Sequence, residues 1–359
     1  MRGVCLFGGH HAGYPRSAVI LNGLARLGVP VASCVASPRA KVLRRYATLL
    51  RRWRHLDVRS FEALYVPEFR HKDMPLAYLL ARRTGIPCIF DPLVSRFDTR
   101  VHDRGDAGAR GLQAAHNKNL DRMSLALADV VLADTRAHAE LYMTELAPPN
   151  TRVRVLEVGY DDAVFQPAPP ARNPGVATIL FYGSFLPLHG VEVVVQAAAR
   201  LRDDARIRFE LVGGGQTRAE VERFVRDHRL ANVSMTARIP LAELPARIAS
   251  ATVCLGIFGT TPKAMRVIPN KVYQCMGMER AVITMDSPAL RDTFRVDEEV
   301  VAVASGDAEA LARAVQNLVA NSERRESLAR AAAARVARDF TPVPLARRFL
   351  SYCEEAHSA

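Results

Sequence analysis

Short apolar runs alternate with amphipathic stretches along the whole chain. In the first half the runs at residues 3–7, 29–35, 63–66, 86–90, 130–133 and 153–156 are almost continuously apolar, as strands covered on both faces are. Between them, residues 17–27, 43–54, 75–84, 117–127 and 137–146 space their apolar positions by three and four, the period of a helix. The second half repeats the alternation, with strands expected at 178–182, 208–212, 233–236, 253–256, 281–284 and 300–303. Helices are expected there at 191–201, 217–228, 241–249, 271–278, 308–321 and 324–339. Alternating β and α at this spacing predicts an α/β protein whose parallel sheets are covered by helices on both faces.

The two halves meet at GYDDAVFQPAPPARNPG, residues 159–175, where four prolines, two glycines and no periodicity mark a linker. The expected organisation is a first domain over 1–160, a linker over 161–176 and a second domain over 177–340. Residues 341–359 form a last helix beyond the final strand, placed to cross back to the first domain.

Composition narrows the class. The chain has 359 residues, 49% hydrophobic and 24% charged, enough for two cores and unlike a disordered chain. No apolar run reaches the roughly 20 residues that a membrane-spanning helix needs. The first residues run straight into a strand and a Gly-rich turn, so a cytoplasmic protein is expected. Its six cysteines are scattered, without CxxC pairs or metal-ligand spacing, and no metal site is expected.

The net charge of +12 calls for an anionic partner. It is concentrated over residues 39–56, where Arg39, Lys41, Arg44, Arg45, Arg51, Arg52 and Arg54 flank the apolar positions Val42, Tyr46, Leu49, Leu50, Trp53 and Leu56. That helix is either a solvated helix packed on its own sheet or a contact with an anionic membrane surface. No nucleic-acid-binding motif accompanies it, so nucleic acid is not expected as a partner.

Ligands of open parallel sheets bind beyond the carboxyl ends of the strands, so the loops there hold the candidate chemistry. After the first strand comes GGHHAGYPRS, where Gly9, Gly13 and Tyr14 make a permissive loop. In it His10 and His11 are either acid/base or acceptor contacts, or plain loop polars. The loop lacks the GxGxxG fingerprint of dinucleotide enzymes. Asp91 follows the run at 86–90 and is either a catalytic carboxylate or the start of an Asx turn with Pro92. In the second half, the loop from Gly183 and Ser184 to His189 and the triplet Gly213–Gly215 offer backbone amides to phosphate. The richest stretch places Lys263, Arg266 and Lys271 around Pro269 and Asn270 at a helix start, a setting that holds the charge of a diphosphate leaving group.

With these residues in view, the chain resembles the retaining glycosyltransferases of family four, whose GT-B fold sets two Rossmann-like domains across a cleft. The resemblance rests on FYGSFLPLHGVEVVVQAAARL (181–201), FELVGGG (209–215) and IPNKVYQCMGMERAVITMDSPALRD (268–292). It implies that Gly183, Ser184, His189, Lys263, Arg266 and Lys271 face the donor diphosphate. It further implies Pro269, Asn270 and Gln274 at the donor sugar and ribose, and Arg238 and Ile239 at the nucleobase. The family pattern has two Glu residues eight positions apart where this chain has Arg266 and Gln274, and a Lys where it has His189. No histidine stands clearly at the family's N-terminal active-site position. Asp91 is nearest, with His10 and His11 as rivals.

The expected function is metal-independent, retaining transfer from a nucleoside-diphosphate sugar, UDP- or GDP-linked, with no cofactor; the second domain is expected to hold the donor, and the first the acceptor, at the loop of Gly9, Gly13 and Tyr14 and around Asp91. The basic helix points to a lipid-linked or cell-envelope saccharide acceptor and to peripheral attachment to the inner membrane face. A small soluble natural product is the rival acceptor. The competing classes are a catalytically silent GT-B subunit that binds nucleotide or a partner transferase, and a sugar-nucleotide epimerase.

Overall fold

The computed structural model describes residues 2–11, 13–105, 111–169 and 175–357. The chain forms two compact units, Met1–Gly159 with Thr341–Ala359, and Tyr160–Phe340. Part of the linker expected over 161–176, residues 170–174, lies outside the described residues. The remainder belongs to the second unit, where Phe165 is buried and the Ala168 carbonyl accepts from Arg280.

In the first unit six parallel strands run β1 (Gly3–Gly9), β2 (Val31–Ala36), β3 (Phe61–Val66), β4 (Cys88–Phe90), β5 (Val130–Ala133) and β6 (Val153–Val155). Their order across the sheet is β2-β1-β3-β4-β5-β6. The period of two in β1 sends Val4 and Leu6 to one face and Cys5 and Phe7 to the other. The helices are α1 (Pro15–Arg26), α2 (Val42–Trp53), α3 (Met74–Thr84), α4 (Leu112–Ala126) and α5 (Arg136–Leu141). On one face Leu49 and Trp53 of α2 join Met74 and Leu80 of α3. On the other, Val19, Ile20 and Leu24 of α1 meet Leu345 and Phe349 from the C-terminal segment.

In the second unit the strands are β7 (Ala177–Ser184), β8 (Ile207–Gly214), β9 (Val233–Thr236), β10 (Val253–Leu255), β11 (Ala281–Met285) and β12 (Val301–Val303), in the order β12-β11-β10-β7-β8-β9. Helices α6 (Val191–Arg200), α7 (Arg218–Asp227), α8 (Leu244–Ser250), α9 (Asn270–Gly277), α10 (Pro288–Thr293), α11 (Ala308–Ala320) and α12 (Ser322–Asp339) connect them. The last helix, α13 (Pro342–His357), returns to the first unit and lies against α1, where Gly23 has no side chain to hold the two apart.

Most elements fall within a few residues of the expected positions. The run at 29–35 begins its strand only at Val31, after Pro30, which has no N–H for a ladder. Helix α10 was not expected, although Ser287 caps it by accepting from the Leu290 N–H and Pro288 opens it. Helix α2 sits differently from the expected apolar face. Arg45 turns inward to Asp73, while Leu50 stands 37% exposed.

Candidate functional site

The expected diphosphate residues gather at the carboxyl end of β7. Gly183, at φ +139°, leaves an open spot above the strand, and Lys271 Nζ and His189 Cε1 would each lie 3.5 Å from a Cβ there. Lys271 comes from the first turn of α9 and His189 from the turn ahead of α6, so two helix starts converge on one strand end. Gly190, at φ +59°, permits this by packing on the backbone of Phe258 and Gly259 without a Cβ to clash.

The electrostatics of this group are unusual for apolar surroundings. Lys271 is 4% exposed, its Nζ has no hydrogen-bond partner, and it lies 3.6 Å over the ring of Phe181. Burial pulls its pKa well below the ordinary lysine range. His189 hydrogen-bonds through Nδ1 to the Ser184 carbonyl, which only accepts, so Nδ1 carries the proton. Burial first, then Lys271, holds the imidazole well below its usual pKa, with Lys263 adding a further push. His189 is therefore neutral, and Nε2 is an acceptor. As it stands it offers a phosphate no positive charge, which separates it from the cations it was grouped with in the sequence.

Lys263 is also buried, at the start of the short turn Ala264–Arg266, and Arg266 ends that turn half-buried. Pro269 occupies the position before α9 and supplies no side-chain cap, so the first amides of that helix have no side-chain acceptor. Asn270 follows at the first helical position, half-buried. One turn on, Gln274 is buried, and its amide oxygen accepts from the Tyr182 hydroxyl at 2.8 Å. That bond takes one of the two lone pairs of the oxygen and leaves the amide nitrogen to donate to a ribose diol. Arg238, exposed, and Ile239, half-buried, follow the edge strand β9, two positions across the sheet from β7.

Sequence reasoning passed over Arg218. Its guanidinium reaches the carbonyls of Gly213 and Thr236 and pairs with Glu222 at 2.6 Å, tying the ends of β8 and β9 together. No motif announces it, because its partners are carbonyls set by the sheet.

The first unit has its own polar cluster at the ends of β1, β3 and β4. The Gly9 N–H donates to Asp73 Oδ2 at 2.8 Å, and Asp73 Oδ1 holds Arg45. His10 is half-buried with a lowered pKa, from burial and then from His11 and Arg70, and His11 is exposed. Gly13 is exposed at φ +82°, and Tyr14 packs edge-on against Phe69. Asp91 is fully buried. Its Oδ2 takes Arg16 Nε at 2.7 Å and the Tyr65 hydroxyl at 3.1 Å. Asp91 makes no Asx-turn bond, since both partners of Oδ2 are side chains and Oδ1 has none. It anchors Arg16, which also donates to the Leu156 carbonyl.

Among the described residues no cluster of three or more His, Cys, Asp or Glu is placed to hold a metal ion, and no helix is long and apolar enough to cross a membrane.

Two family models match the chain, "Glycosyl transferase 4-like domain" over residues 4–159 and "Glycosyl transferases group 1" over residues 176–321. No curated protein matches. Among solved structures, sucrose-phosphate synthase of Thermosynechococcus elongatus aligns with 16% identity and a TM-score of 0.76, covering 100% of both chains. HepE of Anabaena in complex with UDP aligns with 13% identity and a TM-score of 0.71, covering 98% of this chain and 100% of its own. HepE has also been crystallised with UDP-glucose. A glycosyltransferase from Rickettsia africae aligns with 13% identity and a TM-score of 0.70, covering 98% of this chain and 97% of its own. Two six-stranded parallel sheets in this order, matched by both family models, make this chain a glycosyltransferase of group 1, the family-four type, built on the GT-B fold.

Proposed function

We propose that this glycosyltransferase takes its sugar from a nucleoside-diphosphate sugar, UDP- or GDP-linked, and passes it to an acceptor hydroxyl with retention at the anomeric carbon. The observation that carries the reading is Lys271, a buried amine without a hydrogen-bond partner at the start of an uncapped helix, its charge disfavoured by burial until an anion joins it. An unpaired buried cation is costly unless an anion completes it. Lys263, buried nearby, and the first amides of α9 would share the charge of the departing diphosphate, which is how a donor is activated without a metal ion. The UDP and UDP-glucose complexes of HepE support the donor class. Retention follows the family resemblance.

The expected residues keep their proposed places, with two changes. Ser184 serves through its carbonyl, which fixes His189, and Gln274 meets the ribose with its amide nitrogen, its oxygen being shared with Tyr182. The test is to supply a panel of UDP- and GDP-sugars with bacterial lipid extract or soluble acceptors, follow release of the diphosphate, and read the product's anomeric configuration by NMR. Release with inversion, or from no donor, would contradict the reading.

A lipid-linked or cell-envelope saccharide is the proposed acceptor, the protein being cytoplasmic and peripheral on the membrane. The outward face of α2 supports this. Leu43, 84% exposed, and Leu50 stand among the exposed Arg44, Arg51 and Arg54, a pairing of apolar and basic groups suited to an anionic lipid surface. A second reading, a silent subunit that binds nucleotide without turnover, is favoured by the commitment of Gln274 to Tyr182 and by Arg266 at a usual Glu position. Nucleotide binding with no sugar transfer in any acceptor mixture would select it.

A further inference from the structure

Every element packed against the Lys271 amine withholds an acceptor from it. Strand β7 gives it the ring of Phe181, 3.6 Å from the nitrogen, while the Tyr182 hydroxyl lies 3.5 Å from the lysine's carbonyl instead of its amine. The turn ahead of α6 gives it His189, neutral and fixed by Ser184, on which Lys263 also acts. Its own helix gives it the Cys275 thiol, one turn on. Among the described residues no carboxylate acts on it.

An ammonium in that setting would be desolvated, with nothing to accept from its three N–H groups. A neutral amine over an aromatic face meets no such penalty, so the protein alone favours the amine. Burial pulls the pKa well below the ordinary lysine range in agreement. One side of the nitrogen is nonetheless open. Gly183 has no side chain, and an atom at its Cβ position would lie 3.5 Å from Nζ, in ordinary contact and no closer. Gly183, Ser184 and His189 are all only half-buried, so that position is reached from solvent. An anion entering over Gly183 supplies the acceptors that the protein withholds.

We propose that the donor diphosphate is captured together with a proton: as its oxygens arrive over Gly183, Lys271 Nζ takes one proton from solvent and becomes the ammonium that holds the leaving group. The proposal deepens the donor reading and rests on it. One N–H bond forms on Nζ at the expense of a proton carried by water, and the same proton returns to solvent when the nucleotide leaves. The site is charged only while the diphosphate is present. His189 stays neutral beside it, because a second positive charge so close is disfavoured. Binding favours the protonated lysine, so donor affinity falls as pH rises between the free and the bound pKa of Lys271.

The experiment titrates the full chain calorimetrically with UDP and with GDP in buffers of different ionisation enthalpy. At about pH 8 the nucleotide's terminal phosphate, with a second pKa of about 6, is already ionised and adds no proton change of its own. For the nucleotide that binds, uptake of about one proton per site is expected, with affinity falling about tenfold per pH unit above that. Lys271→Arg, charged throughout this range, is expected to bind without uptake. His189→Gln is expected to keep the uptake, and it assigns the proton even where an arginine does not fit. Binding by the native chain without uptake would overturn the proposal and leave the donor reading standing. Uptake that persists in Lys271→Arg, or that is lost in His189→Gln, would overturn the assignment to Lys271. No binding of either nucleotide would overturn the donor reading and this proposal with it.

Discussion

Lys271 sets its amine 3.6 Å above the ring of Phe181, the contact the protein gives a buried nitrogen that has no hydrogen-bond partner. A lysine whose pKa is lowered on folding costs stability wherever it is still charged when unfolded. The cost fades as pH rises from the depressed folded value toward the unfolded value near 10.4. Lys271→Met keeps the stem and removes the charge. It is expected to raise the stability of the ligand-free protein by about 1–2 kcal/mol at neutral pH and to abolish diphosphate binding. Thermal unfolding with and without nucleotide reads both effects. A variant that is destabilised, or that still binds, would contradict this account of Lys271.

The first unit carries the opposite case. His138 is fully buried between Asp134, which pairs with Nδ1, and Asp98, 3.8 Å from Nε2. Burial works against its charge, but the two carboxylates outweigh it and raise the pKa to about 9. His102, on the same Asp98, and the stacked Tyr142 complete its surroundings. A histidine raised on folding gives stability that is fully present below its unfolded pKa of about 6.5. That contribution is lost as pH climbs through about 9. His138→Gln is expected to unfold several degrees earlier in mild acid, with the gap to the native protein closing above about 9. Melting curves across that range check it.

Much of the architecture is legible because strands buried on both faces read as apolar runs. The interior of the sites is less so. Arg45 and Leu50 exchange their expected places because Asp73, 28 residues from Arg45, takes the guanidinium inward, a partner no window on the sequence contains. Asp91 meets Arg16 across 75 residues. The cations near α9 stand out from their spacing, but the neutrality of His189 depends on burial and on Lys271 packed against it.

The return of the last helix depends on one small residue. A Cβ on Gly23 would overlap the Pro342 carbonyl and the Ala346 side chain, where α1 and α13 press together. Gly23→Ala is expected to push α13 outward and cost about 1–3 kcal/mol, the range of overpacked contacts. Denaturant unfolding and proteolysis after the C-terminal helix would show it, and an unchanged melting curve would contradict the packing.

The outward face of α2 makes a separable claim about the membrane. Arg44→Glu combined with Arg51→Glu reverses two exposed charges beside Leu43 and Leu50 and leaves the buried Arg45–Asp73 pair intact. The double variant is expected to lose flotation with vesicles containing anionic phospholipid while keeping nucleotide binding. Native protein that floats no better with anionic than with neutral vesicles would remove the membrane reading.

The donor site is tested most directly by the thermal shift of the native chain with UDP, GDP and their sugars, with and without magnesium. Selective, magnesium-independent stabilisation is expected for one nucleotide, about 2.7 kcal/mol at a hundredfold excess over its Kd. It should vanish in Lys271→Met and fall sharply in Lys263→Ala. No shift with any nucleotide, or an undiminished shift in both variants, would contradict a donor held by these two buried lysines.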